Sequence, residues 1–185
     1  MEVMMKMKTN ILMMTALAVL AFATGCSTSS QRSGGMTADV KEAKAEFLRT
    51  DDTLGPVLAN ASGYAIFPSV GTGAAFVGAA AGRGELFEKG NDQAVGSVAL
   101  NQATVGAQAG GQEYSELIVF EDQSTLDDFK KGNLQFSAQM SAVAAAEGVS
   151  ANAKYEQGVI VLTMTKGGLM YEASIGGQQF SYTPY

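Results

Sequence analysis

The residues able to do chemistry are few. The chain has one Cys, no His and no Trp among 185 residues. Without His there is no Ser-His-Asp or Cys-His nucleophile system and no imidazole metal ligand. One thiol cannot build a disulfide framework or a Cys-rich metal site. What remains is the Cys26 thiol and three carboxylate pairs, Asp51-Asp52, Glu121-Asp122 and Asp127-Asp128. Two facing carboxylates could hydrolyse a glycoside. Adjacent residues usually point apart, however, and these pairs stand at expected helix starts, where negative charge is favourable. A Ca²⁺ loop from Glu121, Asp122 and Asp127 lacks the alternating oxygen spacing of an EF-hand. The expectation is therefore a protein that is not an enzyme and uses no cofactor, with an Asp/Glu-dependent hydrolase as the remote alternative.

The thiol has a more definite setting. Lys6 and Lys8 precede an uncharged apolar run from Ile11 to Ala23, followed by small residues. This is the pattern of a secretory signal, too short for a membrane-spanning helix of about 20 residues. The segment Phe22-Ala23-Thr24-Gly25-Cys26 resembles a bacterial lipobox. That resemblance implies cleavage before Cys26, lipidation of Cys26 and, with Ser27 rather than Asp following, an outer-membrane address on the periplasmic face. Several acyl chains give stable anchoring, at about 0.8 kcal/mol per buried methylene. The expected divisions are a signal at 1–25, a lipidated Cys and flexible Ser/Gly tether at 26–36 and one folded domain at 37–185. Loss of Lys6, Lys8 and Glu2 from the chain's 12 basic and 18 acidic residues leaves 10 and 17. Such an acidic domain is a poor partner for nucleic acid.

The elements that must carry these residues follow from periodicity. Ala38 to Arg49 reads as a helix capped by Thr37, with Val40, Ala43, Phe47 and Leu48 on one face. Asp51 or Asp52 can cap a second short helix bearing Leu54, Val57 and Leu58. Tyr64 to Pro68 reads as a short strand stopped by proline. The Gly/Ala-rich stretch 71–84 suits close-packed strands. It fails as a nucleotide loop, because Phe76 occupies a required glycine position and Arg83-Gly84-Glu85 replaces the Lys-Ser/Thr of a P-loop. Residues 94–112 suggest one or two strands, and Glu116 to Phe120 a strand buried on both faces. Ser124 can cap a helix reaching toward Phe136, Met140 and Val143. Segments 158–165, 169–175 and 178–182, separated by Gly167-Gly168 and Gly176-Gly177, read as consecutive antiparallel hairpins. Gly110-Gly111-Gln112-Glu113-Tyr114 echoes Gly176-Gly177-Gln178-Gln179-Phe180. The predicted class is α+β and β-rich: an antiparallel curved sheet, sandwich or partly closed barrel, with N-terminal helices and one further helix.

An ordered set of segments resembles the SYLF domain family. These are Gly63-Tyr64-Ala65-Ile66-Phe67-Pro68-Ser69-Val70-Gly71 with Phe76-Val77-Gly78; Val105 to Gln112 with Leu117-Ile118-Val119-Phe120; and Lys166-Gly167-Gly168-Leu169-Met170 with Ala173 to Gly177. The resemblance implies a lipid-binding domain of a kind also found in proteins that join membranes to actin. It implies membrane lipid as partner; a structural or protein-interaction role in the cell envelope is the alternative reading, and the failed loop pattern at 71–84 leaves no nucleotide partner expected. Cations near the motifs that could meet head groups are Lys41, Lys44, Arg49, Arg83 and Lys166, each adding about 1 kcal/mol toward an anionic surface.

Overall fold

The computed structural model describes residues 33–74, 77–105, 112–134, 141–166, 173–174 and 177–185. Cys26, its flanking signal and the Gly110-Gly111 and Gly167-Gly168 turns lie outside these residues, as does most of the strand expected at 169–175.

Two helices open the described chain, α1 (Ser33–Thr50) and α2 (Leu54–Asn60). Four strands follow, β1 (Gly63–Ala74), β2 (Val77–Glu88), β3 (Gly96–Val105) and β4 (Gln112–Phe120); the first three form a meander, and β4 returns to pair with β1. Then come α3 (Gln123–Lys130), β5 (Ser141–Ala144), α4 (Val149–Asn152), β6 (Val159–Thr165), β7 (Ala173–Ser174) and β8 (Gln178–Pro184). The sheet order is β7-β5-β6-β4-β1-β2-β3-β8. All pairings are antiparallel except β5 with β6.

The sheet is strongly curled. Strands β8 and β4 are separated by β1, β2 and β3, about 19 Å apart in a flat sheet. Yet the Gln178 amide on β8 donates to Glu116 Oε2 on β4 at 3.0 Å. The curl encloses Phe67, Phe120 and Phe180 together with Leu126 and Phe129 of α3. Phe129 links the two sides, with ring centroids 4.7 Å from Phe120 and 5.0 Å from Phe180. The outer face is covered by α1 and α2, through Val40, Ala43, Phe47 and Leu54 on Tyr64, Ile66, Phe87, Leu117 and Ile160. The α+β, β-rich expectation thus stands, as a partly closed curl clad by helices.

Several local expectations change. Thr37 does not cap α1; it lies inside the helix, which begins earlier, and its hydroxyl donates to Glu85 Oε1 at 3.0 Å. Pro68 does not stop β1. Phe67 and Pro68 stand opposite Gly84 alone, since Ile66 pairs with Glu85 and Ser69 with Arg83. This bulge absorbs the residue that lacks an N–H, and the Ser115 hydroxyl donates to the Pro68 carbonyl at 2.9 Å. A side chain on Gly84 would overlap the Ile66 carbonyl. The cap of α3 is Asp122 rather than Ser124, its carboxylate accepting from the Thr125 N–H at 2.8 Å. That helix stops at Lys130, because Gly132 turns the chain with φ 71°; residues 141–144 form β5 instead. Among the described residues, the C-terminal segments do not pair as consecutive hairpins. β6 pairs with β4, β7 with β5, and β8 crosses to the opposite edge beside β3.

Candidate functional site

A groove of about 300 Å³ opens between the helical layer and one end of the sheet, lined in part by Lys44, Leu48, Leu58, Tyr64, Glu88 and Lys89. Val40, Ala43 and Phe47 fix the buried side of α1, and the helical period then sets Lys44 on the flank beside it. The Lys44 ammonium donates to the Tyr64 hydroxyl at 2.6 Å. It also stands 4.7 Å from the Tyr64 ring centroid and 5.9 Å from that of Phe87. These two rings stack at 5.0 Å. A cation over aromatic faces is held without being neutralised, so Lys44 keeps capacity for an anionic ligand.

The rest of the groove carries both signs. Lys89 donates to the Asn60 carbonyl at 3.3 Å. Glu88 is ion-paired with Lys130, whereas Asp92 lies on the exposed rim. The paired Glu88 leaves Lys44 and Lys89 facing one carboxylate.

The five cations singled out in the sequence are not gathered at one place. Lys41 is exposed on the Lys44 flank of α1. Arg49 is exposed on the outer ridge, three residues from Glu46. Arg83 is exposed on the outer face of β2, opposite Ser69. Lys166 directly follows β6 and lies 3.8 Å from Glu113. Glu113 stands opposite Gly71 of β1, whereas groove residue Gly63 stands opposite Phe120. Eight residues of strand, about 26 Å, thus separate Lys166 from the groove. Tyr64 and Lys89 were missed in the sequence because no local pattern joins 44, 64 and 89.

The carboxylate pairs do not face one another as acid and base. Asp51 is buried at the α1–α2 joint. Burial alone would push its carboxyl up, but it accepts from the Thr53 hydroxyl at 2.6 Å, the Ser150 N–H at 2.7 Å and the Thr53 N–H at 3.0 Å, which bring it down to about 2. The Gly148 N–H adds a fourth bond at 3.1 Å. Asp122 is lowered by its α3 cap bonds to Thr125. Asp127 accepts from Gln123 at 2.9 Å.

Two further carboxylates are fully buried, and neither was singled out in the sequence. Glu85 accepts from Thr37 and from the Tyr185 hydroxyl at 3.1 Å on the helix-covered face. Glu116 lies inside the curl, where burial pushes its carboxyl up to about 7 against the opposing bond from Gln178. The signal for Glu116 was its parity with Ile118 and Phe120, which places it on the inner face.

Part of the chain is similar in sequence to known proteins. Residues 101–183 match the family model described as Ysc84, Las17-binding protein actin regulator. Over those residues the SYLF resemblance is shown. The matched stretch runs from within β3 through β8 and therefore includes Glu116 and Gln178, but not the Lys44 groove. A 78-residue stretch is 30% identical to beta cell expansion factor A of Aeromonas veronii, covering 42% of this chain and 30% of that protein. The match thus spans under a third of that relative's length.

Proposed function

We propose that this chain is a non-catalytic, membrane-surface binding protein of the bacterial envelope, lipid-anchored through Cys26 at the periplasmic face of the outer membrane. The observation that carries the lipid reading is Lys44, pinned over two aromatic rings at the mouth of a groove with no carboxylate ion-paired to it among the described residues. A phosphate-bearing headgroup meets Lys44 and Lys89 there, and Lys41 extends the positive flank along α1. The similarity to the Ysc84 family over residues 101–183 supports a membrane-associated role. The anchor rests on the Cys26 segment; tethering raises the local concentration of lipid, so a modest site suffices.

The test uses the full chain with Cys26→Ser, which removes acylation. It is expected to co-sediment with vesicles containing phosphatidylglycerol more than with phosphatidylcholine alone, and the difference is expected to shrink at 0.5 M salt. Lys44→Ala with Lys89→Ala is expected to lower binding several-fold. Equal recovery with and without vesicles overturns the reading. Fractionation of cells in 0.5 M salt tests the anchor: the Cys26→Ser chain should leave the membrane fraction and the unsubstituted chain should stay in it.

A second reading is a protein partner, favoured by the family description, which names a Las17-binding protein. Pull-down from envelope extract with no vesicle binding would favour it.

A further inference from the structure

Glu116 and Gln178 are both fully buried, at 0% exposure. One hydrogen bond joins them, from the Gln178 amide to Glu116 Oε2. Their other oxygens, Glu116 Oε1 and Gln178 Oε1, have no hydrogen-bond partner among the described residues. Two unpaired acceptors within one hydrogen-bonded pair in an aromatic interior are costly. A proton on Glu116 Oε1 relieves that cost, because it turns one acceptor into a donor for which the Gln178 amide oxygen, the other unpaired acceptor of the pair, is the available partner. The result is a carboxylic acid–amide pair with two bonds instead of one.

The surroundings favour the neutral acid. On the neighbouring strands Glu116 stands opposite Phe67 of β1 and Thr163 of β6. The inner face adds Tyr114 and Ile118 of β4, Val70 of β1, Leu100 and Gln102 of β3, Ala80 and Leu86 of β2, and Phe180 of β8. From α3 the inward residues are Leu126 and Phe129; Asp127 and Asp128 are only half-buried, and Lys130 is paired with Glu88. Among these described residues no cation faces Glu116. The one other titratable neighbour among them, Tyr114, is pushed up by burial and by Glu116 itself against an opposing bond from the Gln178 side chain, so it stays neutral. Burial likewise raises Glu116.

The pair has a mechanical position. Gln178 begins the edge strand β8, which among the described residues pairs with β3 alone. Glu116 lies on β4, across the mouth of the curl. We propose that Glu116 is held as a neutral carboxylic acid whose pairing with Gln178 fastens β8 into the curl, and that loss of this proton to solvent loosens the strand. An ionised Glu116 keeps one bond to Gln178 and gains a charge that only water can stabilise. Water reaches it by partial release of β8, which lowers that strand's protection locally. Glu85 lies on the opposite face, with two hydroxyl donors, and is outside this pair.

The test is amide hydrogen exchange of the Cys26→Ser full chain, corrected for intrinsic exchange, with ¹³C detection of the Glu116 carboxyl. Protection of β8 amides is expected to fall at least tenfold from pH 5.5 to 8.5, with β1 and β2 unchanged. In Glu116→Gln, which is permanently neutral and can donate to the Gln178 oxygen, protection should stay high at both pH values. Glu85→Gln should keep the unsubstituted chain's fall. The same fall in Glu116→Gln, or loss of the fall in Glu85→Gln, overturns the proposal. Should Glu116→Gln not fold, the carboxyl titration decides: a midpoint near neutrality supports the pair, and one in the ordinary Glu range overturns it.

Discussion

Two buried carboxylates with opposite behaviour show how much depends on donors rather than on burial. Asp51 receives four hydrogen bonds at the joint of α1, α2 and α4, so its ionised form is the stable one. Its folded value of about 2, against 3.8 for a free carboxyl, corresponds to about 2 kcal/mol. That stability is present above pH 3.8 and is lost as pH falls toward 2. Asp51→Asn should therefore cost about 2 kcal/mol at pH 7 in urea unfolding, and much less at pH 2. Glu116 receives one bond and has the opposite sign. Its value rises from 4.5 to about 7, so the folded state binds the proton more tightly. This contribution, about 3 kcal/mol, is complete below pH 4.5 and is lost as pH rises through 7. Between pH 5 and 7 the unfolding free energy should fall with pH in the unsubstituted chain, and Glu116→Gln should flatten that slope.

At the scale of elements, the bulge in β1 is the clearest device. It lets proline sit within a long strand and re-aims the chain between Ile66 and Ser69, so that Phe67 and Val70 both reach the interior. Gly84 makes room for it, because the Ile66 carbonyl occupies the space where a side chain would begin. Gly84→Ala should destabilise the protein by about 3 kcal/mol or prevent folding, the upper end for overpacking, measured by thermal unfolding. Gly71→Ala is the control: nothing lies near its missing side chain, and it should shift the midpoint little. Helix α1 illustrates a division of labour. Val40, Ala43 and Phe47 attach it to the sheet, and that attachment alone decides that Lys44 overhangs Tyr64.

At the scale of the molecule, the curl depends on its C-terminal strand. β8 supplies Gln178 and Phe180 to the interior and Tyr182 to its margin. Phe180 touches Phe129, and Phe67 lies 6.0 Å from it. Truncation before Gln178 removes these groups and exposes the aromatic interior. The truncated chain should bind a hydrophobic dye strongly and lose cooperative unfolding, whereas removal of Tyr185 alone should leave the cooperative transition intact.

The amino-acid sequence by itself determined the class of the fold, most element positions and the family resemblance that the match over residues 101–183 shows. Hydrophobic period and glycine spacing are local, and they made α1, α2, β4 and β6 readable. Helix α3 was misread in length because Phe136, Met140 and Val143 continue its apolar spacing past Gly132, whose positive φ ends it. The order of the strands was beyond local reading. The turn-like Gly176-Gly177 suggested a neighbouring hairpin, but β8 gains more by pairing with β3 and filling the curl with Phe180. Only the tertiary structure placed Lys44 over Tyr64 and Phe87, brought Glu116 to Gln178 62 residues away and dispersed the other cations. Contacts between residues far apart in the chain are set by how the sheet curls, and that curl is a property of all the strands together.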